Sequence, residues 1–516
     1  MHAEASAARV ACVILAAATL AAGVSACSSD SQPQQATSSS VPTPTTNPNI
    51  YLQERSEGVA RLLDDLTRAL TDGDRARLDG LLDSSTSPTF RDSLNVAAQN
   101  LSGTGTPAAS SAAATPSVAN PQSAERQSVV PQSVVPQSVE PQSTSPQSPS
   151  SESQPSPTTV PARGTALKLK EFGYQLASTQ GAEVQMPAEV AARLEAQGST
   201  DSWVAPVQLR YALGGAGTPG VDEPTVTLDR ELVVARYGDS WKLVGDATLL
   251  GDDAPATQLW NLPGLEATDV LTGGGPSAVV SYPGTAVTVD RTRRSLRQAV
   301  SAVTAFWGSE WPRRAVVVAT ATPEEFSAIA HSSATDTSAA AAATVFDRVD
   351  GDTVIGQRVV LAPSANDLPA PALAVVLRHE LTHVATRSVT AKDAPLWITE
   401  GVAEYVGRKG TYVRLDDAAP DLAAQVRAGQ SPDALPSDED FGVATDKSAL
   451  AYQSAWALAA YVADRYGETR LKALYRGVAA SGDVGRQDNA IATALGVDRN
   501  RLIADWRRWL AEQVPG

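Results

Sequence analysis

The stretch LAVVLRHELTHVATR, Leu373 to Arg387, decides how the second half of the chain folds. Pro369 and Pro371 stand where a helix can start, and Leu373, Leu377, Leu381 and Val384 then form one apolar stripe at helical spacing. At about 3.6 residues per turn, His379 and His383 project from one face one turn apart, close enough for two imidazoles to hold a single ion. Glu380 is rotated by one residue, so its carboxylate can reach a water on that ion without being a ligand.

Working outward, PLWITEGVAEYVG, Pro395 to Gly407, reads as a second helix. Trp397, Ile398, Val402, Tyr405 and Val406 mark it as buried, yet it carries Glu400 and Glu404 at i,i+4 on one side. Two carboxylates so placed repel, and burying them costs more still unless a cation or a donor compensates. A zinc ion supplies that compensation.

Together the two motifs resemble those of the gluzincin metallopeptidases, the thermolysin and aminopeptidase-like group. His379, Glu380 and His383 match the H-E-x-x-H helix, and Trp397, Glu400, Gly401, Ala403, Glu404 and Tyr405 match the W-x-x-E-G-x-A-E-Y pattern of its compact bacterial members. The resemblance implies one zinc ion per chain, held by His379, His383 and Glu400 with water in the fourth position. It makes Glu404 the acceptor for the outer N–H of a zinc histidine, His379, and makes Glu380 the base in peptide-bond hydrolysis. The segment ALAYQSAWALAAYVADRYG resembles the helix that brings a tyrosine towards the oxyanion, and Tyr452 is its candidate; packing among Trp456 and Leu458 is the alternative. By the same analogy GQRVVLAP is the sheet edge on which a peptide lies extended. The Gly-x-Met-Glu-Asn stretch by which family aminopeptidases grip a free amino end is absent, the residues there being GQRVVLAPSANDLPAPA. An endopeptidase, or a peptidase of very narrow specificity, is therefore expected.

Beyond these two helices the chain divides into further parts. Its 516 residues, 42% of them hydrophobic, are too many for one ordinary domain. A formal charge of −16 argues against nucleic acid, whose binding needs a basic face. Residues 1–26 read as an export signal with an apolar run from Val10 to Ala22. Val24-Ser25-Ala26-Cys27 resembles a bacterial lipobox, which implies acylation of Cys27 and a membrane-anchored protein facing away from the cytoplasm. With Cys12 inside the signal and Cys27 as the remaining cysteine, no internal disulfide is possible in the mature chain.

Residues 27–49 read as a disordered tether, and 102–161, with Pro-Gln-Ser recurring from Pro121 to Pro146, as a disordered insert. Between them and after them, 50–101 and 162–255 give helices followed by a meander. This α+β unit resembles nuclear-transport-factor-like or cystatin-like domains, which fixes no function. The GAGTPG stretch, Gly215 to Gly220, is a loop rather than a dinucleotide site, because a strand and not a helix follows it. By the gluzincin resemblance residues 271–516 are expected to form a zincin-like α+β peptidase domain, in which RAVVVATAT and TVIGQRVVLAP are each expected to be a strand.

The leading expectation is a zinc peptidase acting on peptide or protein substrates. The rival is a non-enzymatic envelope lipoprotein with a structural or vestigial zinc site. Glu380 favours the enzyme, because a structural zinc has no need of a base there.

Overall fold

The computed structural model describes residues 50–102, 167–178, 183–214, 223–331, 340–412, 414–442 and 447–514. The export signal, Cys27, the tether, the insert beyond Ser102 and the GAGTPG loop lie outside the described residues.

Helix α1 (Ile50–Asp72) buries Val59, Leu62, Leu63, Leu66 and Leu70 along one stripe. It ends at Gly73, whose φ of 68° turns the chain, and Asp74 caps α2 (Arg75–Leu81) by accepting from the Arg77 N–H. Helix α3 (Pro88–Leu101) starts on a Ser87 cap. An antiparallel meander follows, β1 (Leu169–Leu176), β2 (Asp201–Leu213), β3 (Val226–Tyr237) and β4 (Ser240–Asp246), with α4 (Ala188–Ala196) inserted after β1.

A second sheet opens with the hairpin β5 (Glu266–Thr272) and β6 (Gly275–Ser281). Helix α5 (Ala286–Trp307) leads to β7 (Val316–Ala319), and α6 (Pro323–Ala330) precedes β8 (Ala342–Val345). A small separate hairpin, β9 (Arg348–Asp350) and β10 (Thr353–Ile355), then delivers β11 (Arg358–Leu361). The order is β5-β6-β7-β11-β8, with β7 parallel to β6 and β11, and β8 antiparallel to β11.

The structure overturns two expectations. TVIGQRVVLAP is not one strand: Gly356, at φ 67°, breaks it into β10 and β11. Nor is GQRVVLAP the sheet edge. It lies between β7 and β8, and β8, the AATV segment, is the outer strand.

The Val-rich strands are apolar on both faces because both faces are covered. Val279, Val317 and Val359 join the core built with α5 and the helical half. Val280, Val316, Val318 and Val360 point the other way, into the core of the first unit beside Tyr211 and Trp260. The first unit therefore closes one side of the second sheet.

The helical half begins with α7 (Ala370–Thr386), α8 (Leu396–Arg408), α9 (Leu415–Ala418) and α10 (Pro420–Arg427). It continues through α11 (Ser448–Tyr466), α12 (Glu468–Val478), α13 (Val484–Leu495) and α14 (Arg499–Gln513). Helix α8 lies between α7 and α11. Its glycines permit the approach: a Cβ at Gly407 would sit 3.1 Å from the Val375 carbonyl oxygen of α7, and one at Gly401 would sit 2.6 Å from that of Ala455 on α11. No helix among the described residues is long and apolar enough to cross a membrane.

Candidate metal centre

Helix α7 places His379 and His383 on its buried face, and α8 brings Glu400 against them. The two Nε2 atoms are 3.1 Å apart. Glu400 Oε2 lies 3.3 Å from His379 Nε2 and 3.5 Å from His383 Nε2. Two nitrogens and one carboxylate oxygen thus close a nearly equilateral triangle. A tetrahedral zinc with bonds of about 2.0–2.1 Å has ligand–ligand edges of about 3.3–3.4 Å, so the residues fit the ion. Burial alone would push the Glu400 carboxyl up, but His383 and His379 more than offset it and hold it at about 2. A carboxylate kept ionised in a buried site is the form that ligates a metal.

Behind the triangle, His379 Nδ1 faces Glu404 Oε1 at 3.3 Å. Glu404 is fully enclosed, and its carboxylate is gripped by the Arg408 guanidinium one turn along α8. Burial would raise this carboxyl too; Arg408 and His379 bring it down to about 2. Arg408 also donates to the Ala418 carbonyl, which anchors the pair to α9. On the opposite side, the Arg378 Nε donates to the Gly407 carbonyl at 2.8 Å and ties α7 to α8. Glu380 is 4% exposed, and Thr344 Oγ1 on the edge strand β8 donates to its Oε2 at 2.7 Å. The same hydroxyl lies 3.2 Å from the Glu380 main-chain oxygen.

Residues 365–512 match the model of the Peptidase MA superfamily, a span that contains the whole cluster. The match puts the cluster inside a region that is similar to the peptidases of that superfamily. No curated protein sequence matches the chain. Among solved structures, an M1 zinc metallopeptidase from Deinococcus radiodurans shares 15% identity, with 66% of this chain and 71% of that chain covered and a TM-score of 0.29. A variant of it gives 16% identity, 70% and 73% coverage and a TM-score of 0.29. The same variant bound to a Tyr-Ser-Ala substrate gives 16%, 68%, 73% and 0.30.

Within the peptidase domain, Tyr452 stands on α11, half-buried, with its ring edge-on to Phe441 at a centroid distance of 5.1 Å. The tyrosine that lines the pocket beside the triad is Tyr475 of α12, together with His383, Glu400, Thr386 and Arg387. Its hydroxyl is 2.9 Å from both Thr386 Oγ1 and Thr390 Oγ1, and burial raises its pKa. Sequence reading did not single out Thr344, Arg408, Tyr475 or Arg387. Arg408 and Arg387 carried a signal, since each follows a site residue by four positions; Thr344 and Tyr475 come from distant segments and carried none.

Proposed function

We propose that this protein is a zinc-dependent endopeptidase held at the outer face of the cell membrane by a lipid on Cys27. The observation that carries the reading is the pairing of the His379, His383 and Glu400 triangle with a buried glutamate, Glu380, that is not one of its three ligating atoms. His379, His383 and Glu400 would hold the zinc, which would supply Lewis-acid polarisation of a peptide carbonyl and acidification of water. Glu380 takes the proton of the attacking water and delivers it to the leaving amine, and Thr344 holds its carboxylate in place. Glu404 accepts from His379 Nδ1–H and fixes the tautomer that leaves Nε2 free for the metal. By the family resemblance Tyr452 serves as oxyanion donor, and the peptide runs extended beside β8, the outer strand.

The endopeptidase assignment rests on the missing amino-end grip before α7, and the location on the export signal with its lipobox-like end. The test is metal analysis of the purified protein paired with digestion of a proteome-derived peptide mixture, for wild type and Glu380→Gln. About one zinc per chain is expected in both, with cleavage in wild type alone. Cleavage clustered at peptide ends would overturn the endopeptidase reading. Zinc without any cleavage would favour the non-enzymatic lipoprotein.

A further inference from the structure

The pocket beside the triad has a wall that peptide hydrolysis leaves unused. His383 and Glu400 form its near side, and Thr386, Arg387 and Tyr475 continue it. Arg387 reaches the pocket because it caps α7 four residues after His383, about 6 Å further along the same helix face. That distance is within reach of one side chain on a peptide whose carbonyl sits at the triad.

Arg387 is 7% exposed. Its guanidinium lies over the Phe346 ring, 4.9 Å from the centroid, and Nη2 donates to the Thr390 carbonyl. The buried Nε has no hydrogen-bond partner among the described residues. Nearby carboxylates face elsewhere: Glu400 meets the two histidines, and Glu404 meets His379 and Arg408. The wall hydroxyls are satisfied among themselves, Tyr475 with Thr386 and Thr390, and Thr390 with the Thr386 carbonyl at 2.9 Å. The guanidinium is thus the wall group with donors to spare. A buried cation that meets no carboxylate among the described residues is unfavourable, and an arriving carboxylate, whose two oxygens match the guanidinium fork, relieves that.

We propose that Arg387 is a specificity-determining residue that anchors a substrate carboxylate next to the scissile bond, so that the site selects acidic peptides. This rests on the peptidase reading above. The carboxylate comes from an Asp or Glu side chain or from the free C-terminus of a peptide, and the two sources give different experimental results.

The first measurement is kcat/KM of the zinc-loaded full chain on matched peptides. They contain Glu or Gln, and Asp or Asn, at each position flanking the cleaved bond, and end in a carboxylate or an amide. Wild type should prefer the charged member of one set, and Arg387→Gln should lose that preference by about 10- to 100-fold. Arg387→Lys, which keeps the charge without the fork, should fall between them. Equal zinc content in all three proteins establishes that the variants fold.

The second measurement needs no turnover. Calorimetry on Glu380→Gln, with and without Arg387→Gln, reads the binding of N-acetylglutamic acid α-amide, N-acetylalanine and N-acetylglutamine amide. Loss confined to the first probe identifies a side-chain carboxylate, and loss confined to the second identifies a chain terminus. Equal binding of both anionic probes with and without Arg387 overturns the proposal. If no peptide is cleaved at all, the peptidase reading fails, while the binding comparison still decides whether Arg387 is an anion anchor.

Discussion

His379 Nδ1 stands 3.3 Å from Glu404 Oε1, and the same carboxylate is clasped by Arg408. This relay separates two glutamates that lie one turn apart on α8. Glu400→Ala removes one of the three proposed ligating atoms together with its charge, and zinc should be largely lost. Glu404→Ala keeps all three ligands and should weaken zinc affinity by about 10- to 100-fold. It also leaves Arg408, 4% exposed, without its counter-ion, which should destabilise the fold by about 3–5 kcal/mol. Chelator competition and thermal melts on both variants read these effects apart. Retention of zinc by Glu400→Ala alongside its loss in Glu404→Ala would reverse the assignment.

Thr344 and Glu380 make a second testable pair. Thr344→Val removes the hydroxyl that donates to Oε2 at 2.7 Å while keeping the side-chain shape. Zinc content should not change, because Thr344 is not among the residues placed to hold a metal. A hydrogen bond to a charged group contributes about 1.5–3 kcal/mol, so kcat should fall by about 10- to 150-fold. Glu380→Gln, which removes the proposed base, should cost about 10²- to 10⁴-fold. Steady-state kinetics with zinc quantified in each sample checks both. An unchanged kcat in Thr344→Val would show that the hydroxyl holds the helix rather than the base.

The triad was legible because helical periodicity converts i,i+4 spacing into shared direction. The histidines of HELTH and the glutamates of EGVAE each occupy one turn, and packing of α7 on α8 brings the pairs together. The edge strand was not legible. Both β8 and β11 are buried throughout, so neither shows the alternation that would mark a solvated outer strand. Their order depends on contacts made far along the chain. The uninterrupted valines of β7 did carry a message, since a strand apolar on both sides needs two covers. The second cover is the first α+β unit, through Val316 and Val318.

Location is tested at Cys27. In wild type, acylation should place the protein in the membrane fraction, released by detergent and labelled by a fatty-acid probe. Cys27→Ser should leave it unprocessed or shed into the medium. Full processing and membrane retention of Cys27→Ser would remove the lipid anchor from the reading while leaving the zinc site untouched.

Gly401 follows the proposed ligand Glu400 directly, and its hydrogen faces α11. A methyl group there would meet the Ala455 carbonyl oxygen at 2.6 Å and its carbon at 3.0 Å. Both atoms belong to helix backbone, so neither can rotate away as a side chain would. Gly401→Ala should therefore push α8 from α11 and cost about 1–3 kcal/mol by overpacking, even though alanine is the better helix former. Because the displaced residue adjoins Glu400, zinc affinity should fall together with the melting temperature. Gly80 supplies the control: it also lies in a helix, with nothing within 4 Å of a Cβ added there. Gly80→Ala should stabilise the protein by up to about 1 kcal/mol and leave zinc binding alone. Thermal melts with and without chelator compare the two. If Gly401→Ala melts at or above the wild-type temperature with zinc retained, α8 and α11 are not packed this closely, and the triangle built on their contact loses its support.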